Sequence, residues 1–346
     1  MNRLARLFAL FFVAGFLASC GTATHLFPIF QKGKFGYADL HGKVVIPPKY
    51  ETCGYFSEGL APVVFNGQTG YIDPAGKEVI APQFTNGGRF SEGLAYVMKG
   101  GKVGFIDRTG KLVIPYTWDY ARDFHEGRAI VVQGGKFGFI DKTGKVIVQP
   151  VYDFASQYSE GLALVVRDNL GGFLDLSGKL VIPLKYNSVS SFSEGLALVG
   201  EGQKVFFIDK NQKQPFASTF AYAEPFSEGL ALVGIGSKVG FINKKGEQVI
   251  PPVYDYAKSF SDGMAVVLQN NKVGFINKKG EMVIPPQFDT AQDFKDGLAL
   301  VAEGDMVSYI DTQGKKVWSN SQTEMPGFDE PVEPNTEAPT SPIPQP

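Results

Sequence analysis

The sequence predicts an all-β fold built from nine tandem repeats of 34 residues, each a three-stranded antiparallel meander. The first observation is a glycine that recurs every 34 residues without a slip, within Ser-Glu-Gly-Leu-Ala or a close variant. A period of this length is typical of repeat proteins, in which each unit buries its apolar face against its neighbours. The recurring glycines are Gly59, Gly93, Gly127, Gly161, Gly195, Gly229, Gly263 and Gly297.

The second observation separates β repeats from helical repeats of the same length, such as tetratricopeptide repeats. The apolar runs are short and rich in β-branched and aromatic residues, as in Val239–Ile242 and Ala265–Leu268, and Gly, Pro or Asn interrupts them. This composition is typical of strands. Helices of ten or more residues have no room between the interruptions.

One unit gives the predicted strands. After Gly263, Met264–Leu268 is predicted as strand A, Lys272–Asn277 as strand B and Glu281–Ile284 as strand C. The loop between strands A and B carries Gly or Asn, which tolerate the positive φ of a tight hairpin. The turn between strands B and C starts with Asp or Asn and has Gly in fourth place, as type I turns do. A proline follows strand C and is expected to end its pairing, because it cannot donate to a ladder.

Aromatic residues recur at three positions of the repeat. They lie in strand B, after the proline, and directly before the Ser-Glu-Gly step, as Phe139, Tyr152 and Tyr158 do in one stretch. Each can bury about 150 to 250 Å². We expect these columns to form the core between units, and an exposed platform for stacking glycans is the alternative.

The ends of the repeats bear on whether the array is open or closed. The chain enters in phase with strand A at Leu26 and leaves after strand C near Trp318. Propellers usually have four to eight blades, and their closure commonly splits one blade between the termini. We therefore predict an open, superhelical, solenoid-like array over residues 26–318, with a closed β-propeller as the alternative. The sixth unit, with Phe206 and Gln212 in place of glycines, is interpreted as a decayed copy or a bend.

The N-terminus predicts export. Two arginines precede an apolar stretch, Leu7–Leu17, that has the length of a signal peptide and is too short to span a bilayer. It ends in Leu17-Ala18-Ser19-Cys20-Gly21, which resembles a bacterial lipobox. The resemblance implies cleavage between Ser19 and Cys20, and attachment of diacylglycerol and a further acyl chain to Cys20. A plain signal peptide with an incidental cysteine is the alternative.

This interpretation sets the expected location of the protein. Residues 1–19 are the predicted lipoprotein signal peptide and residues 20–25 a short anchor linker, so the mature chain is held on a membrane of the bacterial cell envelope by its lipid. Gly21 stands where an aspartate resembles an inner-membrane retention signal, which favours the outer membrane if there are two. The other cysteine, Cys53, is expected to be a small buried hydrophobe.

A family resemblance covers most of the chain. Lys34-Phe35-Gly36-Tyr37, then Asp39 and Gly42-Lys43, and later Phe56-Ser57-Glu58-Gly59-Leu60-Ala61, resemble the WG (KWG) repeats of bacterial proteins over about residues 26 to 318. The tryptophan that names those repeats is replaced throughout, by Phe35, Thr69, Val103, Phe137, Gly171, Val205, Val239, Val273 and Val307. The resemblance implies a β-rich tandem array, often on exported proteins, without a shared catalytic activity.

The C-terminal tail and the charge complete the composition. Residues 319–346 alternate proline with acidic residues and are predicted to be disordered, because they lack the apolar area that would offset the ordering entropy. The whole chain has 33 basic and 35 acidic residues, interspersed, with a formal net charge of −2. This balance gives no electrostatic footprint for nucleic acid.

Motifs for catalysis are not found, and no catalytic residue, cofactor or metal site is assigned. His25, His41 and His125 occupy unrelated places in the repeat. The acidic residues before the recurring glycines, such as Glu92 and Glu126, could hold calcium between units, but a role in the turn is favoured. We predict a lipid-anchored, non-enzymatic binding scaffold for a protein or a glycan. Specificity would lie in variable loops such as Arg167–Asn169 and Glu201–Gln203. The alternatives are a structural envelope protein and, last, a glycan-active or metal-dependent enzyme.

Overall fold

The structure is a closed ring of nine β-sheets, or blades, one for each repeat. The computed structural model describes residues 25–321. Within that range seven blades have four strands, and blades 1 and 6 have three. No helix of this part is long and apolar enough to cross a membrane.

The strands follow one another blade by blade. Blades 1 to 3 comprise β1 (Leu26–Gln31), β2 (Lys34–Asp39), β3 (Val44–Tyr50); β4 (Thr52–Cys53), β5 (Ala61–Phe65), β6 (Gln68–Ile72), β7 (Glu78–Phe84); and β8 (Asn86–Gly87), β9 (Leu94–Lys99), β10 (Lys102–Asp107), β11 (Leu112–Trp118). Blades 4 to 6 comprise β12 (Tyr120–Ala121), β13 (Arg128–Gln133), β14 (Lys136–Asp141), β15 (Val146–Tyr152); β16 (Phe154–Ala155), β17 (Leu162–Arg167), β18 (Leu170–Asp175), β19 (Leu180–Tyr186); and β20 (Ser188–Val189), β21 (Ala197–Glu201), β22 (Lys204–Ile208). Blades 7 to 9 comprise β23 (Tyr222–Ala223), β24 (Leu230–Ile235), β25 (Lys238–Asn243), β26 (Gln248–Tyr254); β27 (Tyr256–Ala257), β28 (Met264–Gln269), β29 (Lys272–Asn277), β30 (Met282–Phe288); and β31 (Thr290–Ala291), β32 (Leu298–Glu303), β33 (Met306–Asp311), β34 (Lys316–Ser321).

The prediction of an open array is wrong, because the first and last blades pack against each other. Phe27 and Ile29 of blade 1 share one buried cluster with Leu300, Val307 and Trp318 of blade 9. An open array would leave these apolar faces in water, at a cost of about 25 cal/mol per Å². Burial of both end faces therefore favours the ring, although nine blades exceed the usual number.

The cores lie between blades, where a face with large aromatic residues meets a face with small ones. Between blades 4 and 5, Phe139 packs on Tyr158 with ring centroids 4.9 Å apart, and Ala163 and Val165 lie opposite. All four side chains are buried. The aromatic columns are thus core, as expected. Small residues in strand A leave the space that the preceding blade's aromatic ring fills.

The turns form as predicted. In the turn between β10 and β11, the Asp107 carboxylate accepts the backbone N–H groups of Thr109 and Lys111, and Gly110 has a φ of 85°. In the hairpin between β9 and β10, Gly100 and Gly101 both have positive φ. Local sequence therefore sets both connections of the meander.

Strand C does not end at its proline. In blade 4, β14 pairs with β15 at Phe139↔Val148 and again at Phe137↔Tyr152, so one residue of β14 faces an arch of three residues of β15. That residue is Gly138, where a Cβ atom would lie 2.5 Å from the Val148 carbonyl oxygen. The glycine of the repeat motif is therefore required because the neighbouring backbone arches over it.

Two blades lack this glycine, and neither has the arch. Blade 6 has Phe206 there and no long third strand, and Phe216 and Phe220 pack against its core instead. Blade 9 has Ser308, which pairs directly with Ser319 in β34. The straight strand β34 continues to Ser321, three residues beyond the predicted end of the array.

A fourth, two-residue strand precedes strand A in every blade except the first, and the sequence did not predict it. In blade 4, β12 pairs with β13 at Tyr120↔Val132 and Ala121↔Val131, and Asp119 N–H donates to the Val132 carbonyl. Blade 1 has no such strand within the described residues. There the side-chain amide of Asn320, from blade 9, donates to the Phe30 carbonyl at 2.5 Å. Phe30 is the repeat equivalent of Val132, so Asn320 substitutes for the missing backbone donor.

Replacing Asn320 with Asp is expected to destabilise the ring by about 1 kcal/mol, because a carboxylate cannot donate to the Phe30 carbonyl. Urea unfolding of the variant and of Gln313→Glu, in an exposed turn, measures the difference. An unchanged midpoint for Asn320→Asp would show that this hydrogen bond does not hold the ends together.

Candidate binding surfaces

The inner rim of the ring is made by the short strands and the Ser-Glu-Gly loops, for example residues 120–127. In a ring of wedge-shaped blades, equivalent residues of neighbouring blades come closest near the axis. Side-chain hydrogen bonds between residues 33 to 35 apart all lie in these segments, such as Arg89 to Asp123 and Ser91 to the Phe124 carbonyl. The inner rim therefore surrounds the axis, and strand C lies at the outside of each blade.

Two ladders of hydrogen bonds run around the inner rim. The serine of one loop donates to the carbonyl of the next blade's aromatic residue at 2.7 or 2.8 Å, as Ser159 does to Phe192. The acid of one loop accepts the N–H of the next blade's glycine, as Glu126 does from Gly161 at 2.8 Å. Seven acids take part, namely Glu58, Glu92, Glu126, Glu160, Glu194, Glu228 and Asp262.

This geometry gives the acidic column a structural role. Four of the acids also pair with a lysine from the next blade's turn, as Glu92 does with Lys142 at 3.0 Å. Partial burial raises the pKa of Glu92, but the hydrogen bonds from Lys142 and Gly127 outweigh it and lower the pKa overall. The described range 25–321 contains no cluster of three or more potential metal ligands. Through these hydrogen bonds and ion pairs, the carboxylates of the acidic column hold neighbouring blades together.

One irregular part of the inner rim lies between blades 3 and 4. We call it the blade 3–4 patch and define it by Arg89, Tyr96, Tyr120, Arg122 and Asp123. Tyr96 replaces the aliphatic or proline residue of other units. Its ring lies against the backbone of Gly88, so a Cβ atom at residue 88 would lie 2.1 Å from the Tyr96 ring. Tyr120 is 43% exposed. Arg and Tyr are the residues that dominate binding energy at many protein interfaces.

Asp123 gives the patch its unusual electrostatics. One carboxylate oxygen accepts from Arg89 Nε at 2.9 Å, and the other is buried without a hydrogen-bond partner among the described residues. Burial raises the pKa of Asp123, and Arg89 offsets only part of this. Burial, followed by the charge of Asp123, also raises the pKa of Tyr96. A buried acceptor without a donor is rare and calls for an explanation such as a bound group.

Because the folded protein raises the pKa of Asp123, it binds that proton more tightly than the unfolded chain does. The resulting stabilisation is full below the ordinary aspartate pKa and is lost as pH rises through the raised pKa. Asp123→Asn should therefore become more stable relative to the wild type as pH rises from 3 to 7. Thermal unfolding across this range measures the difference, with Asp305→Asn, in an exposed hairpin turn, for comparison. A difference that stayed constant with pH would contradict the raised pKa.

A cavity of about 910 Å³ opens at the seam, where blade 9 meets blades 1 and 2. At the other eight junctions, the strand B aromatic packs on the aromatic residue before the next loop, as Phe275 does on Phe294. At the seam, Tyr309 packs instead on Phe27, which replaces the usual alanine. The ladders also stop here. Asp296 lines the cavity and has no glycine N–H donor among the described residues.

The predicted site residues are placed as follows. Ser19 and Cys20, the predicted cleavage and lipidation site, lie outside the described residues, as do residues 1–24 and 322–346. Cys53 is half-buried in β4, at a position that is usually alanine, and burial raises its pKa to about 11. The loops at Arg167–Asn169 and Glu201–Gln203 are hairpins at the end of the blades opposite the Ser-Glu-Gly loops. The blade 3–4 patch was missed, although the departure of Tyr96 from the aliphatic or proline residue of other units was visible in the sequence.

Comparisons with known proteins agree on the repeat and on the fold. The family described as "WG containing repeat" matches residues 35–68, 70–102, 104–137, 137–170, 172–204, 206–238, 240–272 and 274–306. No curated protein sequence matches the chain.

Two solved structures illustrate the likeness in fold. The crystal structure of a eukaryotic initiation factor is 12% identical, with a TM-score of 0.59, over 86% of this chain and 96% of that one. Dihydro-heme d1 dehydrogenase NirN, in complex with DHE, is 15% identical, with a TM-score of 0.50, over 86% of this chain and 73% of that one. At such identities the likeness concerns the closed propeller fold alone.

Proposed function

Because the chain belongs to the WG-containing repeat family, we propose that it acts as a non-enzymatic binding scaffold, anchored by lipid in the bacterial cell envelope. The family implies no catalytic activity of its own. The observation that carries the proposal is the blade 3–4 patch, a group of exposed Arg and Tyr side chains around a carboxylate with an unused acceptor.

The anchor rests on Cys20 and its lipobox. At about 0.8 kcal/mol per buried methylene, two or three acyl chains would hold the protein on the membrane stably. The rest of the ring would then present its surfaces to the space next to that membrane. Gly21 favours the outer membrane where two membranes exist.

Cys20→Ser is expected to abolish incorporation of labelled palmitate and to move the exported protein from the membrane fraction to the soluble fraction, because Ser cannot form the thioether. Cys53→Ser provides the matched control and should remain labelled and membrane-bound. Membrane retention of Cys20→Ser at the wild-type level would contradict the lipid anchor.

A protein partner fits the blade 3–4 patch better than a glycan does. Tyr120 and the charged pair of Arg89 and Asp123 offer aromatic area together with directional hydrogen bonds, the combination found at energetic hot spots. The two arginines and one aspartate favour a partner surface with exposed acidic groups. A rigid ring presents these side chains with little loss of conformational entropy on binding.

The test compares two double variants as bait in envelope extract. Tyr120→Ala with Arg122→Ala alters the patch, and Tyr256→Ala with Lys258→Ala alters the equivalent positions of blade 8. Loss of a saturable protein partner with the first variant only is the expected result, with an effect of at least about tenfold on affinity. Equal binding by both variants would rule out the patch. Capture of a glycan instead would establish the other partner class, and no saturable partner would favour a structural envelope role.

A further inference from the structure

The chain enters the ring at the seam, on the side that carries the Ser-Glu-Gly loops. Strand β1 begins at Leu26, which pairs with Asp39, the first residue of the turn between strands β2 and β3. His25 lines the seam cavity together with Leu40 of that turn and Pro74 of the equivalent turn in blade 2. The chain therefore enters the ring beside the turns between strands B and C, and not beside the hairpins between strands A and B.

The predicted lipidation site is close to this entry point along the chain. Cys20 precedes His25 by five residues. It lies outside the described residues, but five residues in any conformation reach at most about 18 Å. A six-residue strand such as β1 is about 20 Å long, and this length separates the turns from the hairpins at the other end of each blade. A lipid on Cys20 would therefore hold the membrane near the turns and leave the hairpins away from it.

The two ends of the blades differ in the charge of their tips. The tip of each turn is its second and third residue, and we call the nine tips together the turn face. They contain no acid and seven cations, namely Arg108, Lys142, Lys210, Lys244, Lys245, Lys278 and Lys279. The two central residues of each hairpin form the opposite face, which we call the hairpin face. It has one cation, Lys32, and two acids, Asp168 and Asp305.

Some of the cations on the turn face are free to contact an anion. Four pair with the acidic column, namely Lys142, Lys210, Lys244 and Lys278. Arg108, Lys245 and Lys279 form no ion pair with another residue of the described range 25–321. The Asp or Asn that starts each turn precedes the tip and accepts backbone N–H groups, as Asp107 does. Leu40, next to the chain entry, is 37% exposed. Exposed cations with apolar residues are the combination that binds a membrane surface with anionic lipids.

We propose that the turn face lies against a membrane surface with anionic phospholipid headgroups. The inference rests on the proposed anchor at Cys20. Leu40 and Pro74 lie beside the point where the anchored chain enters the ring, and Lys245 and Lys279, from blades 7 and 8, contact the headgroups. The hairpin face points away from the membrane.

This orientation leaves the surfaces proposed for a partner on the side away from the membrane. Tyr120 of the blade 3–4 patch pairs with Val132, which directly precedes the hairpin Gln133–Lys136. The variable loop Arg167–Asn169 lies at a hairpin as well. A partner can therefore reach both surfaces while the ring stays on the membrane.

The test attaches the ring to the membrane chemically, so that its result does not depend on lipidation in the cell. The mature chain from Cys20 onward, with Cys53→Ser, is coupled through Cys20 to a maleimide lipid in vesicles of phosphatidylethanolamine and phosphatidylglycerol. The same chain with its Cys20 thiol capped by N-ethylmaleimide, without vesicles, is the reference. Acetylation rates of individual lysines are then measured by mass spectrometry.

Acetylation of Lys245 and Lys279 should be severalfold slower on the vesicles than in the reference. Lys32 and Lys99 are also exposed and lie at hairpins, so their rates should not change. Equal slowing at all four lysines, slowing at Lys32 and Lys99 alone, or unchanged rates at all four would overturn the proposed orientation.

A second lipid composition tests the role of the headgroup charge. With phosphatidylcholine in place of phosphatidylglycerol, the slowing at Lys245 and Lys279 should largely disappear, because the cations then face no net negative charge. Slowing of the same size on these neutral vesicles would contradict the contact with anionic headgroups. Failure of palmitate labelling at Cys20 in the cell would count against the proposed anchor, whereas the vesicle experiment tests the orientation by itself.

Discussion

Phe139→Ala is expected to lower the free energy of unfolding by about 3 to 5 kcal/mol, because it removes a fully buried ring and leaves a cavity between blades 4 and 5. The neighbours that line the gap, Tyr158 and Val165, belong to the next blade. The loss therefore weakens a junction between blades, which is the unit of stability in a repeat protein.

Urea unfolding followed by circular dichroism measures this effect, with Tyr120→Ala as the control. Tyr120 is aromatic and lies in the same blade, but it is exposed, so its replacement should cost less than about 1 kcal/mol. Equal destabilisation by the two changes would contradict the assignment of the strand B aromatic column to the core.

Gly138→Ala is expected to destabilise the ring by about 3 kcal/mol, although its φ is not positive. The new Cβ would lie 2.5 Å from the Val148 carbonyl oxygen and 2.7 Å from the Pro150 nitrogen. Both atoms belong to the backbone of the arch in β15, so relief requires movement of strand C rather than rotation of a side chain.

Ser308→Ala tests the equivalent position of blade 9, where the arch is absent. Ser308 pairs directly with Ser319, so alanine there loses only the contact between the two hydroxyl groups at 2.9 Å. Its cost should be about 1 kcal/mol or less. A cost for Gly138→Ala as small as that for Ser308→Ala, in the same unfolding experiment, would mean that the arch does not require glycine.

The repeat allowed much of each blade to be predicted. The turn at Asp107 and Gly110 forms because its side-chain and backbone preferences are local. Strand B, Lys272–Asn277, was predicted at its observed bounds. The predicted strand C ended before its proline, because a proline normally ends pairing, whereas the observed strand continues beyond it. The arch opposite Gly274 lets pairing resume at Phe288, and this depends on two strands at once.

The binding surfaces were harder to predict than the blades. Arg89 and Asp123 are 34 residues apart, and the packing of blade 3 against blade 4 brings Arg89 Nε and an Asp123 carboxylate oxygen to 2.9 Å. The raised pKa of Asp123 likewise depends on burial by other parts of the fold. The sequence shows that this repeat position varies from blade to blade, but not that Arg89 and Asp123 meet.

The sequence by itself determined the all-β repeat, its period, its turns and its aromatic core, because these follow from local conformational preferences and from apolar residues in register. Only the tertiary structure decided that the array closes. Closure depends on the small rotation between successive blades, summed over nine junctions, and on whether the faces of Phe27 and Trp318 then meet. No single repeat encodes that sum, so identical units are compatible with an open stack or a ring until the whole chain is assembled.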